Sequence, residues 1–191
     1  MKLRLLILLS GTLAIVACGQ KSETNYADAN ADGNVANGPV LPANDAQPAA
    51  PTTAQGFANA AAASDRFEIE SSKLAASAGT SAAVKSFAAK MVAAHTASTA
   101  KLKSTTAGLS PAITPDDTLA PDQQAKLDSL KALHGADFDA AYAAAQVEAH
   151  QKALDALNGY AASGDTPALK ELASGMVPTV TAHLNMAKGL K

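Results

Sequence analysis

From residue 56 to the C-terminus the larger apolar residues recur at spacings of three and four within an alanine-rich background. That is the period of an α-helix with one buried face, and no stretch alternates as a strand would. The first helix is expected over residues 56–78, with Phe57, Phe67 and Leu74 on its buried side and Gly79 ending it. Thr80 or Ser81 can cap a second helix over residues 82–107, whose single face carries Val84, Phe87, Ala88, Met91, His95, Ser98 and Leu102. A Pro-rich connection follows. Pro121 and Asp122 then open a short helix reaching Leu133, where His134 beside Gly135 reads as a C-terminal cap. A third long helix is expected over residues 137–163. The fourth begins at Pro167 with Thr166 as N-cap, and Pro178 within it predicts a kink, because it lacks an amide donor and crowds the carbonyl of Ser174.

Shifting the chain by 85 residues lays residues 79–92 over 164–177, with Gly79 on Gly164, Lys85 on Lys170, Met91 on Met176 and Val92 on Val177. The match reads as a duplicated helical hairpin. The expected fold is therefore all-α: a ferritin-like four-helix bundle of two helical hairpins, joined by a crossover that contains a short extra helix.

Each of the four long helices carries one ligand-capable side chain inside its apolar stripe: Glu68, His95, His150 and His183. On a helical wheel Leu157, Leu154 and Val147 fall within about 60° of His150, and Leu169, Leu172, Met176, Val180 and Ala187 within about 60° of His183. Burying such groups unpaired costs several kcal/mol each, so the set is the chain's main functional signal. Counted from the two hairpin turns, the four positions spread over roughly 10 Å along the bundle, within reach of convergence.

Three imidazoles and a carboxylate suit a single transition metal ion, zinc, copper or iron. Asp139 and Gln146 share the face of His150 and are candidate partners for its ring. The competing reading is a buried hydrogen-bond network, with hydroxyls such as Ser98 and Thr179, that fixes helix register in a structural or partner-binding bundle. Glu70 rivals Glu68 as the core acid because it shares a stripe with Phe67 and Leu74, whereas Ser64, Ser72 and Ala75 leave room beside Glu68. A di-iron centre is not expected. It needs Glu-x-x-His on two helices, and Val92 and Val180 stand three residues before His95 and His183, while Glu148 points about 160° from His150.

At the N-terminus Lys2 and Arg4 precede an apolar run over residues 5–16 that is short for a membrane span. The run ends in Ile15-Val16-Ala17-Cys18, which resembles a bacterial lipobox, and Cys18 is the chain's one cysteine. Residues 1–18 accordingly read as a lipoprotein signal with Cys18 as the lipidated residue that anchors the product to a membrane. Gly19 and Gln20 lack the inner-membrane retention aspartate, so an outer-membrane lipoprotein facing the periplasm is expected. Residues 19–55, rich in Asn, Ala, Asp, Gly and Pro, read as a disordered tether, and residues 56–191 as one domain.

Without Lys2 and Arg4 the chain has 13 basic against 17 acidic residues, a balance of about −4, and it has no tryptophan. Nucleic acid is therefore not an expected partner; an envelope protein partner stays open. No Gly-x-Ser-x-Gly elbow or phosphate-binding loop is present, so a non-catalytic role is the expectation.

The runs Phe67-Glu68-Ile69-Glu70-Ser71-Ser72-Lys73-Leu74-Ala75, Phe87-Ala88-Ala89-Lys90-Met91-Val92-Ala93-Ala94-His95, Gly135-Ala136-Asp137-Phe138-Asp139-Ala140-Ala141-Tyr142, His150-Gln151 and Pro178-Thr179-Val180-Thr181-Ala182-His183-Leu184 together resemble the DUF4142 family. That family comprises exported bacterial proteins with a ferritin-like bundle and no settled function. The resemblance spans about residues 57–190, implies the fold, favours Glu68 as the core acid and implies no reaction. Where the family commonly has an acid before the second-helix histidine, this chain has Ala94.

Overall fold

The hydroxyl of Thr53 accepts a hydrogen bond from the amide of Gly56 at 3.2 Å and so starts helix α1, Ala54–Ala78, two residues ahead of its expected beginning. In this computed structural model residues 51–190 are described; the expected signal, Cys18 and the tether up to residue 50 lie outside the described residues. Helix α2, Ala82–Ala107, is capped by Ser81, whose Oγ accepts from the amide of Val84. Helix α3, Pro121–Lys131, begins at its proline and stops two residues short of Leu133. Helix α4, Gly135–Ser163, starts at a glycine with φ of 65°, a left-handed conformation that favours glycine. His134 is thus the residue that precedes α4, exposed and without a side-chain capping bond, rather than a cap on α3. Helix α5, Pro167–Lys188, runs through Pro178 as one element.

The duplication visible in the sequence is visible again in the turns. Gly79 and Gly164 both take extended conformations and both donate their amides to the carbonyl four residues back, of Ala75 at 3.2 Å and Tyr160 at 2.8 Å. A Cβ on Gly79 would stand 2.7 Å from that carbonyl and 2.9 Å from Asp139, and one on Gly164 would stand 2.6 Å from the Tyr160 ring. Each hairpin turn therefore excludes any larger side chain.

The short turns make α1/α2 and α4/α5 antiparallel hairpins, and these two pairs have the most extensive packing in the molecule. Helices α1 and α4 meet across a looser seam, with the crossover helix α3 lying against both. Among the described residues no helix is long and apolar enough to cross a membrane.

The core is interrupted at one level. On one side lie Phe67, Ala75, Val84, Phe87, Met91, Phe138 and Tyr142; on the other lie Phe57, Ala62, Leu102, Leu157, Tyr160, Leu169, Leu172 and Val180. Following each helix from one cluster to the other, the chain passes Asp65 on α1, His95 on α2, His150 on α4 and His183 on α5. A polar layer divides two apolar clusters.

Candidate metal centre

Glu68, Asp65, His95, His150 and His183 are 1, 4, 7, 1 and 8 % exposed. The three histidine rings form a nearly regular triangle, with centroids 5.6 Å apart for His95 and His150, 5.8 Å for His95 and His183, and 5.5 Å for His150 and His183. One ring nitrogen from each lies within 4.8 Å of the others. The estimated axial spread is thereby closed: three helices deliver their imidazoles to one point.

Backbone and side-chain acceptors orient two of the rings. His150 Nδ1–H donates to the carbonyl of Gln146 at 2.8 Å, a contact that requires the proton on Nδ1 and leaves Nε2 with its lone pair. His95 Nδ1–H donates to Asp65 Oδ1 at 2.8 Å, and Thr99 Oγ1 donates to Asp65 Oδ2 at 3.1 Å, leaving Nε2 of His95 as the free nitrogen. His95 Nε2, His150 Nε2 and His183 Nδ1 are all buried and all without a hydrogen-bond partner. Buried imidazole nitrogens are ordinarily satisfied, so three orphans facing a common space make a donor set for a cation. Bonds of about 2 Å keep ligand nitrogens within about 4 Å of one another. The widest pair therefore has to close somewhat on an ion.

For two of the three rings the electrostatics favour the neutral form that a metal requires. Burial pushes His150 and His183 down from 6.5 to about 4, with the nearby His95 charge acting in the same direction on both. Burial also pulls His95 down, but the hydrogen bond it donates to Asp65 and the carboxylates of Glu68 and Asp65 outweigh it and raise this imidazole. Glu68 sits in the opposite situation. Burial pushes its carboxyl up from 4.5 to about 7 against the pull of His95, and neither oxygen has a partner.

Among the four expected ligands, the histidines come together and Glu68 stands beside them. Its Oε1 is 3.6 Å from His150 Nδ1, the nitrogen already engaged by Gln146, so Glu68 flanks the trio rather than completing it. The rivalry with Glu70 is resolved by exposure: the Glu70 side chain is 39 % exposed and pairs with Arg66 at 2.8 Å. Gln146 reaches His150 through its backbone, while its side-chain amide donates to Ser71 Oγ at 3.2 Å.

Asp139 is placed elsewhere. Its carboxylate accepts from the amides of Thr80 and Ser81 and from the Thr80 hydroxyl at 2.8 to 3.2 Å, closing the α1/α2 turn from α4. Of the hydroxyls considered as histidine partners, Thr179 is exposed and Ser98 Oγ is buried without a partner.

Asp65 is the site residue that the helical wheels did not single out, because an acid next to Arg66 reads as part of a solvated face. The internal repeat held the signal. The 85-residue shift carries His150 onto Asp65, which marks the α1 position, whereas His183 falls on Ser98 and His95 on the apolar Val180.

A solved structure described as CopM in the Cu(II)-bound form shares this fold, with a TM-score of 0.60, 15% sequence identity, and coverage of 72% of this chain and 94% of that one. None of the curated proteins matches the chain. The model of a domain of unknown function, DUF4142, matches residues 40–190, which include both hairpins, the crossover and every residue of the polar layer. The chain belongs to the DUF4142 family.

Proposed function

We propose that this protein is a cell-envelope lipoprotein whose helical domain binds a single transition metal ion through His95, His150 and His183, with Glu68 as the adjacent counter-charge. The observation that carries the reading is the set of three buried, unpartnered imidazole nitrogens on three different helices. A hydrogen-bond network fixing the bundle register would satisfy those nitrogens on one another or on hydroxyls, and they are not satisfied. Imidazole donors suit zinc, copper and iron. The neighbour of like fold holds Cu(II), which makes copper the first ion to test. On this reading Cys18 carries the lipid, the residues from 19 to 50 tether the domain to the outer membrane, and the domain lies in the periplasm.

The test uses the chain from residue 19 onward, loaded separately with Cu(II), Zn(II) and Fe(II), desalted and analysed for metal. One equivalent of one ion is expected, lost when His95, His150 and His183 are all replaced by alanine. For Cu(II), nitrogen hyperfine structure from about three imidazoles should appear in the EPR spectrum. Substoichiometric metal for every ion, or full retention in the triple variant, would refute the site. Labelling with a palmitate analogue, abolished by Cys18→Ser, tests the anchor.

A further inference from the structure

The looser seam between α1 and α4 opens into a cavity of about 480 Å³ that metal binding at the histidine trio leaves unexplained. The seam stays open because α4 presents Ala145, Ala149 and Ala153 at successive turns, with Ala60, Ala61 and Ser64 in the wall supplied by α1. Leucines at those positions would fill the space and gain apolar burial.

The depth of the cavity and its level in the bundle indicate what it serves. Its walls include side chains of the two helices that do not form the seam, His95 of α2 and Met176 and Val180 of α5. They also draw on both apolar clusters, with Phe67 and Ala145 from one and Leu157 and Val180 from the other, so the cavity straddles the polar layer. At that layer stand Asp65 and His95, joined by the 2.8 Å hydrogen bond that leaves His95 Nε2 free for the trio. His95 is the one imidazole of the three that lines the cavity.

The charges along the way suit a cation. Asp122, Glu148 and Asp155 are exposed in the outer wall, and the two lysines beside them are already paired, Lys126 with Glu148 and Lys152 with Asp122 and Glu148. With Asp65 the walls carry four carboxylates against two ammonium groups, a balance that raises the local concentration of cations. The Asp65 oxygens each accept one hydrogen bond, and a carboxylate has lone pairs for about four, so the inner end keeps acceptor capacity.

We propose that this cavity is the path by which the metal ion enters and leaves the histidine trio, with the Asp65 and His95 pair as the last barrier on it. The path rests on the metal-binding reading above. An ion drawn past the exposed acids reaches Asp65, where the carboxylate takes the place of part of its water. The hydrogen bond to His95 then parts, and the ion passes to the free ring nitrogens. The rival path runs past His183, which is itself 8 % exposed.

The experiment measures loading rate, release rate and affinity on the chain from residue 19 onward. Cu(II) is followed in a stopped flow by quenching of tyrosine emission, the chain having no tryptophan, and Zn(II) by displacement from a chromophoric chelator. Ala149→Phe, at a partly exposed position of the α4 wall, sets a ring across the mouth. It should slow binding and release by the same factor, about tenfold, and leave Kd within about threefold of the parent, because an obstacle on a path changes rates and not end states. Ala61→Phe narrows the mouth from α1 and decides instead where the first variant fails to fold. Glu148→Gln, which removes an acid and unpairs Lys126, should slow binding about threefold at low salt and less at high salt. Thr179→Phe, exposed one turn before His183, probes the rival path and should leave the rates unchanged.

Unchanged rates in both mouth variants overturn the proposal, and so does slowing by Thr179→Phe alone. A Kd raised in proportion to the lost binding rate overturns it as well, since that marks a damaged site and not a blocked path. Absence of Cu(II) and Zn(II) binding at equilibrium in the parent removes the histidine site itself, whereas full loading at unaltered rates removes the path and leaves the site standing.

Discussion

Glu68→Gln isolates what a buried acid beside the histidine trio does to the metal-free protein. The Glu68 carboxyl is 1 % exposed, has no partner on either oxygen, and is pushed by burial from 4.5 to about 7. Between those values the folded chain keeps a proton that the unfolded chain has released. The group's contribution to stability is therefore complete below about pH 4.5 and is lost as the pH rises through about 7. A displacement from 4.5 to about 7 corresponds to about 3 kcal/mol in full, of which about 2.5 kcal/mol falls between pH 5 and 8. His150 runs the other way: held at about 4, below its ordinary 6.5, it contributes fully above about pH 6.5 and loses that contribution as the pH falls toward 4. The two partly cancel in the parent protein, so the difference between parent and variant is the quantity to measure. Urea unfolding of both proteins in chelator, at pH 5 and pH 8, should show the E68Q variant gaining about 2.5 kcal/mol on the parent across that interval, with unchanged m-value. Parallel stability curves would refute the claim that a desolvated, unpaired carboxyl sits in this core.

Three further outcomes follow from the same geometry. Asp65→Ala should weaken metal binding about 100-fold and Asp65→Asn about tenfold in a competition titration, because each loosens the acceptor that aims His95 Nε2; unchanged affinity in both would exclude Asp65 as the orienting group. Asp139→Ala removes the hydrogen bonds that close the α1/α2 turn, so urea unfolding should report a loss of about 2 kcal/mol while metal affinity stays within twofold of the parent. Because His150 and His183 are already neutral well below pH 6, only the raised His95 and Glu68 at about 7 can yield protons to the metal, so log affinity plotted against pH between 6 and 8 should rise with a slope no greater than two, and a slope of three or more would refute the neutral pair.

Helix placement was legible in the chain because its signals are local. The apolar period of three and four, Ser81 before α2, Pro121 and Pro167 at helix starts, and the glycines of the two turns each act within one turn of backbone. The positions of His95, His150 and His183 were legible for the same reason, since each falls inside the apolar stripe of its own helix. Partners were not, because pairing is a property of two helices at once. Asp139 shares the wheel face of His150 but lies 11 residues, about three turns, along α4, at the level of the α1/α2 turn. Asp65 looks solvated from α1 alone, and only the packing of α2 against α1 encloses it.

The polar layer makes sense as a division of labour within one duplicated scaffold. Apolar clusters on both sides hold the hairpins in register, so the layer between them is free to carry groups that weaken the metal-free fold. Within that layer the two ends of the electrostatic scale are kept apart: Asp65 and Glu68 come from α1, and the two strongly neutralised imidazoles come from the other hairpin. His95 of α2 mediates between them, bonded to the acid on one nitrogen and open on the other. A bundle built only for stability would have placed leucines at these positions, as it does about two turns from His150 at Leu157 and about three and four turns from His183 at Leu172 and Leu169. The unsatisfied atoms gather in this layer, three imidazole nitrogens together with both Glu68 oxygens, Gln146 Oε1 and Ser98 Oγ, and the proposed ion would satisfy the three rings at once.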